Sequence, residues 1–115
     1  MDISEMMNML KNQQALQARA KELQARASSI RETGQAGAGM VKVTLSGDME
    51  MVECWISPEL VASADKGMIE DLVRAAHHDA AEKVKAAVQA EMNSALGSMG
   101  ISPGMFGGGT PFRSV

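Results

Sequence analysis

Apolar and polar positions along this chain change their period several times, and each change marks an element. From Asp2 to Glu32 there is neither Pro nor Gly, and Ala, Gln, Leu, Met, Lys, Arg and Glu dominate, all good helix formers. Met6, Gln13, Ala20 and Ala27 recur every seven residues, with Met9, Leu16, Leu23 and Ile30 interleaved at spacings of three and four. The pattern predicts one helix of about 30 residues, roughly 45 Å long, carrying a narrow apolar seam suited to a second helix. Asp2 is placed to cap its start, with Glu5 three residues on, and Gly34 to stop it. The rest of a 115-residue chain cannot cover so long a helix. Its N-terminal part therefore projects or pairs with a second subunit, and dimerisation is the economical solution.

Residues 34 to 39, Gly-Gln-Ala-Gly-Ala-Gly, break the helical pattern and predict a tight turn or a flat edge strand where backbones approach closely. A phosphate-binding loop would need Lys and Ser/Thr directly after the last glycine and a strand before the first, and the sequence offers neither. From Met40 to Ser46 the chain alternates, Val41, Val43 and Leu45 on one face and Lys42, Thr44 and Ser46 on the other. After a turn at Gly47-Asp48, Val52, Cys54 and Ile56 alternate with Met51, Glu53 and Trp55, which predicts an antiparallel hairpin. In that reading Cys54 is a small buried hydrophobe and Trp55 faces away from the core.

Ser57 is placed to cap a short helical turn with Pro58 at its first position. Asp65 caps a second long helix from about Gly67 to Leu96, whose stripe is Ile69, Leu72, Val73, Ala76, Ala80, Val84, Val88, Met92 and Ala95. Its polar face offers the i,i+4 pairs Glu70 with Arg74 and Asp79 with Lys83. From Gly97 onward, six Gly and two Pro in nineteen residues predict a disordered tail over 97–115. The expected fold class is therefore α+β, a two-layer unit of helix, small antiparallel sheet and helix over residues 1–96.

Composition adjusts this picture in two ways. Aromatic residues are 3% of the chain and Met numbers eleven, so the core must be built from Met, Val, Leu, Ile and Ala. The single Cys54 cannot form an intramolecular disulfide, nothing reads as a signal peptide, and no apolar run reaches about 18 residues. A soluble protein of a reducing cytoplasm is expected, with no membrane partner. The net charge of −3 excludes a uniformly basic nucleic-acid binder, yet residues 2 to 32 hold five Lys/Arg against four Asp/Glu while residues 33 to 115 hold six against ten. Any contact with DNA must be local.

No pattern here signals catalysis. His77 and His78 are neighbours on a helix and point about 100° apart, which suits solvated surface better than a shared metal. Glu50, Glu53 and Glu59 fall on a strand's outer face and in the turn after it, where carboxylates protect edges. Neither cofactor nor small-molecule substrate is implied. If a second subunit covers the hairpin, Trp55 is an interface anchor, and with Met9, Leu16 and Leu23 of the helix seam it forms the expected dimer interface. The Met-rich start, Met6, Met7 and Met9, also suits a plastic surface for a partner protein.

The stretch from Thr33 to Pro58, TGQAGAGMVKVTLSGDMEMVECWISP, resembles the YbaB/EbfC family. The family shares a TG-x-x-G-x-G-hydrophobic-V-K-V-T run, a Gly turn, a second strand and an I-x-P step. The likeness continues through Pro58-Glu59-Leu60, MIEDLVRAAHHDAAEKV from Met68 to Val84 and a Gly/Met/Pro-rich end, and covers nearly all of the chain. His77 and His78 depart from the family's more usual apolar residue and Asn. The resemblance implies a three-stranded antiparallel sheet, with Gly34 to Ala38 supplying the short first strand, between two helices. It further implies a tight, tweezer-like homodimer whose protruding helices embrace double-stranded DNA with little sequence preference, a nucleoid-associated role in organising the chromosome and modulating gene expression, and no catalytic residues. On such arms Lys11, Arg19 and Lys21 of the first helix and Lys83 and Lys85 of the second are the nearest candidates for phosphate contact. The alternative reading is a protein-interaction module whose Met-rich arms clasp a partner protein.

Overall fold

The computed structural model describes residues 2–98 and Gly100. Helix α1 spans Ile3–Ser28, strands β1, β2 and β3 span Arg31–Ala36, Val41–Ser46 and Met51–Ile56, and helices α2 and α3 span Pro58–Ala62 and Lys66–Ser98. The strands form one antiparallel sheet in the order β1-β2-β3. The α+β expectation of a helix, a three-stranded antiparallel sheet and a helix is met. The proposed tail, however, lies almost wholly outside the described residues, and α3 runs through Gly97 to Ser98.

Local chemistry fixes the element boundaries. Asp2 caps α1, its side chain accepting from the Ser4 amide at 3.4 Å. At the other end Ser28 and Ser29 donate their hydroxyls to the carbonyls of Gln24 and Arg26 at 2.8 and 2.7 Å, competing with further helical bonding. Arg31 then donates to the freed Ser28 and Ile30 carbonyls. The helix therefore ends well before Gly34, and Glu32 and Gly34, expected as helix end and stop, both lie in β1, which begins at Arg31 rather than Gly34 and ends at Ala36, with Gly37 and Ala38 in the turn to β2. Ser57 accepts from the Leu60 amide at 3.1 Å and caps α2. Asp65 accepts from the Met68 amide at 3.1 Å and caps α3. Both caps fall where the sequence predicts them.

The core lies between α3 and the first two strands. Val41, Val43 and Leu45 of β2, Ala76, Ala80 and Val84 of α3, and Leu60 of α2 are fully buried, with Ile69, Leu72, Val73 and Val88 packed around them. The contact between layers is closest at Gly34. A Cβ there would stand 2.2 Å from the Ala80 backbone nitrogen and 2.3 Å from the Ala76 carbonyl oxygen. Gly34 is thus required by the approach of α3, not by helix termination.

The hairpin of β2 and β3 departs from simple alternation. The paired residues are Val43 with Cys54 and Thr44 with Glu53, but Leu45 with Met51, so Val52 is the extra residue of a β-bulge. The bulge brings Met51, rather than Val52, onto the face shared by Leu45, Cys54 and Ile56. Cys54 is exposed rather than buried, since α3 packs over β1 and β2 and every residue of β3 except Ile56 is exposed.

These contacts set a stability contrast between two glycines. Gly34→Ala forces a methyl into fixed backbone atoms and is expected to cost at least the upper part of the roughly 1–3 kcal/mol typical of overpacking. Gly97→Ala, with open space around its site, is expected to be neutral or to stabilise by up to about 1 kcal/mol. Urea unfolding of the two variants beside the parent checks both signs.

Candidate functional site

Three surface features stand out above this frame. The first is the free edge of β1. The outward-facing amide of Gln35 donates to Asp79 Oδ2 at 3.0 Å, and Lys83 Nζ donates to the outward-facing carbonyl of Thr33 at 3.0 Å. Asp79 and Lys83 are themselves 3.3 Å apart, one turn of α3 from each other. Together they bind the donor and the acceptor that a neighbouring strand would otherwise engage. The Gln35 amide, then Lys83 beside it, holds the Asp79 carboxyl below its ordinary value of 3.8, with a smaller contribution from His78 and against a small opposing effect of burial.

The second feature is the arm formed by the N-terminal part of α1. Near its C-terminal end Leu23 and Ala27 are half-buried, and Arg26 reaches Glu91 of α3 at 3.7 Å as well as Glu22 of its own helix at 2.7 Å. A groove between the two helices is lined by Arg19, Glu22, Leu23, Arg26, Ala95 and Ser98. Toward the N-terminus no described residue covers the same seam, and Met9 and Leu16 are 59% and 60% exposed. The molecule is accordingly elongated, 74 × 35 × 19 Å. At about 100° per residue, Arg19 and Lys21 lie roughly 80° to either side of Lys11, Met9, Leu16 and Leu23 lie roughly 120–160° from it, and Arg19 flanks that seam. Among the described residues no carboxylate stands within ion-pair distance of Lys11, Arg19 or Lys21.

The third is β3. Met51 and Val52 are 46% and 48% exposed on the strand that α3 does not cover. Trp55 is on the opposite face of the sheet, paired in register with Lys42, whose ammonium lies 5.6 Å from the ring centroid.

The residues singled out from sequence therefore fall into separate places. Lys11, Arg19 and Lys21 share one side of the arm. Lys85 lies on the exposed side of α3 beside Glu82, 3.8 Å away. Lys83 is engaged at the β1 edge, a role the sequence conceals because Thr33 is fifty residues away. Arg74 pairs with Asp71 at 3.8 Å rather than with Glu70, which lies 3.9 Å from Lys66. His77 and His78 are exposed, and among the described residues no group of three His, Cys, Asp or Glu is close enough to hold a metal ion. No helix among the described residues is long and apolar enough to cross a membrane.

Residues 1–99 match the profile of the YbaB/EbfC DNA-binding family. The chain belongs to the YbaB/EbfC family. Relatives named nucleoid-associated proteins include one from Rhodopseudomonas palustris, 36% identical over 103 residues that cover 90% of this chain and 97% of the relative. Another, from Maricaulis maris, is 37% identical over 103 residues, 90% of this chain and 96% of the relative. A third, from Granulibacter bethesdensis, is 37% identical over 97 residues, 84% and 91% of the two chains. The crystal structure of an uncharacterised Helicobacter pylori protein shares the fold with a TM-score of 0.58 at 24% identity, over 77% of this chain and 90% of that one.

The β1 edge makes a pH prediction. Because folding depresses the Asp79 carboxyl, its contribution to stability is present above the unfolded value of 3.8 and is lost as pH falls through the lower folded value. Asp79→Asn is expected to be less stable than the parent at pH 7, and the difference to shrink progressively below about pH 4. Thermal unfolding of both proteins across that range reads the effect; a constant difference would show that the charge is not responsible.

Proposed function

We propose that this protein is a nucleoid-associated DNA-binding protein that works as a homodimer and holds duplex DNA with little sequence preference, organising the chromosome and modulating gene expression. The observation that carries the reading is the projecting arm of a chain from a DNA-binding family, with Lys11, Arg19 and Lys21 on one side and no carboxylate paired to them among the described residues. Such cations contact phosphates, which position a protein on the duplex without reading its bases. Lys85 extends the basic surface onto α3. Lys83 belongs to the wider basic surface, but its ammonium is already bonded to Thr33 and Asp79, so its share of phosphate binding is the smallest. The reading assigns no catalysis, cofactor or small-molecule substrate, and places the protein in the nucleoid.

The homodimer rests on surface that a single chain leaves bare. Met9, Leu16, Met51, Val52 and Trp55 are each between 44% and 60% exposed, and burying a side chain of this size contributes about 1.5–3 kcal/mol. A second copy laid along β3 and the α1 seam covers them, Leu23 included, and brings two arms together in the tweezer shape. The same exposed Met6, Met7, Met9 and Leu10 support a second reading, in which the arm clasps a partner protein.

Two measurements test the proposal. Light scattering at micromolar concentration is expected to give twice the 12.2 kDa chain mass, and Val52→Asp, at a bulge position exposed in the single chain, to shift the mass toward the monomer while circular dichroism is retained. A monomer mass for the parent rejects the dimer. For DNA, the triple change of Lys11, Arg19 and Lys21 to Ala is expected to weaken binding to unrelated duplexes alike. It is also expected to flatten the slope of log affinity against log salt by about 0.9 for each phosphate left without its cation, roughly 3 per arm engaged. Unchanged affinity and slope in a folded triple variant removes the arm from the site. Failure of the parent to bind DNA even at low salt favours the partner-protein reading.

A further inference from the structure

The two edges of the sheet are finished differently. Along β3, no side chain among the described residues bonds to the outward backbone groups of the strand. Along β1, Asp79 accepts from the Gln35 amide and Lys83 donates to the Thr33 carbonyl, both at 3.0 Å, with the two side chains 3.3 Å from each other. Thr33 and Gln35 are two residues apart on one strand, so their outward N–H and C=O are the adjacent donor and acceptor that a new strand would bond first. A carboxylate matches the donor and an ammonium matches the acceptor.

We propose that the Asp79–Lys83 pair is an edge guard, which occupies the strand-addition site of β1 and closes it to a strand from another copy of this chain. An unpaired edge is a template for pairing with another chain, and the charges of this one, Arg31 and Glu32, stand at its start, before the Thr33–Gln35 site. It has no Pro, and its sequence Arg-Glu-Thr-Gly-Gln-Ala contains a glycine that cannot be replaced by a bulkier, edge-blocking residue, because α3 lies against it at Gly34. A guard from α3 is the protection that remains available. It also needs the helix to lie this close, since Asp79 and Lys83 flank Ala80, the residue that touches Gly34. The consequence is directional: association of copies is confined to β3 and the arms, and chains do not add at β1.

The guard predicts different behaviour for variants that keep or remove its hydrogen bonds. In Asp79→Ala with Lys83→Ala, hydrogen exchange at the Gln35 amide is expected to accelerate about tenfold or more, the scale of removing a charge-assisted bond, and sedimentation velocity is expected to show species larger than the parent's that grow with concentration. Asp79→Asn with Lys83→Gln keeps an acceptor and a donor at the two positions, and is expected to remain at the parent's size. A purely electrostatic or general stabilising role would not separate the two pairs in this way. Lys83→Ala alone, at a side chain that is about half exposed, serves if the double alanine variant does not fold, and is expected to assemble at higher concentration than the double variant. The proposal is overturned if the alanine variants fold, exchange Gln35 faster and still keep the parent's size at every concentration, or if Gln35 exchange is unchanged.

Discussion

Helix α3 rests on β1 at a distance that leaves room only for hydrogen at Gly34, and most of the molecule's arrangement follows from that contact. Because Ala76 and Ala80 meet the strand through backbone atoms, the helix packs over β1 and β2 and not over β3. Val41, Val43 and Leu45 are completely covered as a result, while β3 lies beyond the helix and keeps Met51, Val52 and Cys54 in solvent. Small residues on both sides of one contact thus decide which part of the sheet is core and which part stays exposed. The same approach brings the turn of α3 that carries Asp79 and Lys83 over the strand's edge.

Packing and electrostatics are coupled at that edge. An exposed i,i+4 pair on a helix contributes only a few tenths of a kcal/mol, and Asp79 with Lys83 would ordinarily be no more than that. Bonding to the Gln35 amide and the Thr33 carbonyl changes their role, because each charge now also satisfies a backbone group that has no strand beside it. The direction of the Asp79 shift follows the same order, the backbone amide acting more strongly than the lysine. A pair that looks like helix decoration is part of how the layers are joined.

The elements were legible in the sequence because their signals are local. Asp2, Ser57 and Asp65 each announce a helix start within a few residues, and the alternation from Val41 to Leu45 marks the inner face of β2. What was not legible depended on residues distant in sequence. Gly34 looks like a helix stop until Ala80 is seen against it. Alternation alone sends Val52 inward, and only the pairing of Leu45 with Met51 reveals the bulge. Cys54 falls on the inner face as its period requires, but period says nothing about whether a helix covers that end of the sheet. The candidate basic residues were visible as residue types, and their division was not: Lys11, Arg19 and Lys21 remain on the arm, whereas Lys83 is bonded to a strand fifty residues earlier in the chain.

That division also resolves the tension between a net charge of −3 and a family that binds DNA. The carboxylates of α3 have cations or a histidine close by: Glu70 beside Lys66, Asp71 beside Arg74, Asp79 beside Lys83, Glu82 between His78 and Lys85, and Glu91 beside Arg26. Much of the negative charge is therefore compensated within the body. Lys11 lies twelve residues before Leu23, the seam residue that touches the body, and a helix of that length carries it roughly 18 Å outward. Screening at about 0.1 M salt reduces interactions between exposed charges over about 10 Å, so Lys11 is well insulated from the body's acidity. Arg19 and Lys21 are nearer the body, but the two carboxylates beside them, Glu22 of α1 and Glu91 of α3, both face Arg26. A phosphate approaching the arm meets a local field set by Lys11, Arg19 and Lys21 together with the arm's own Asp2, Glu5 and Glu22, of which Glu22 is bonded to Arg26, and the acidity of the body has less influence there.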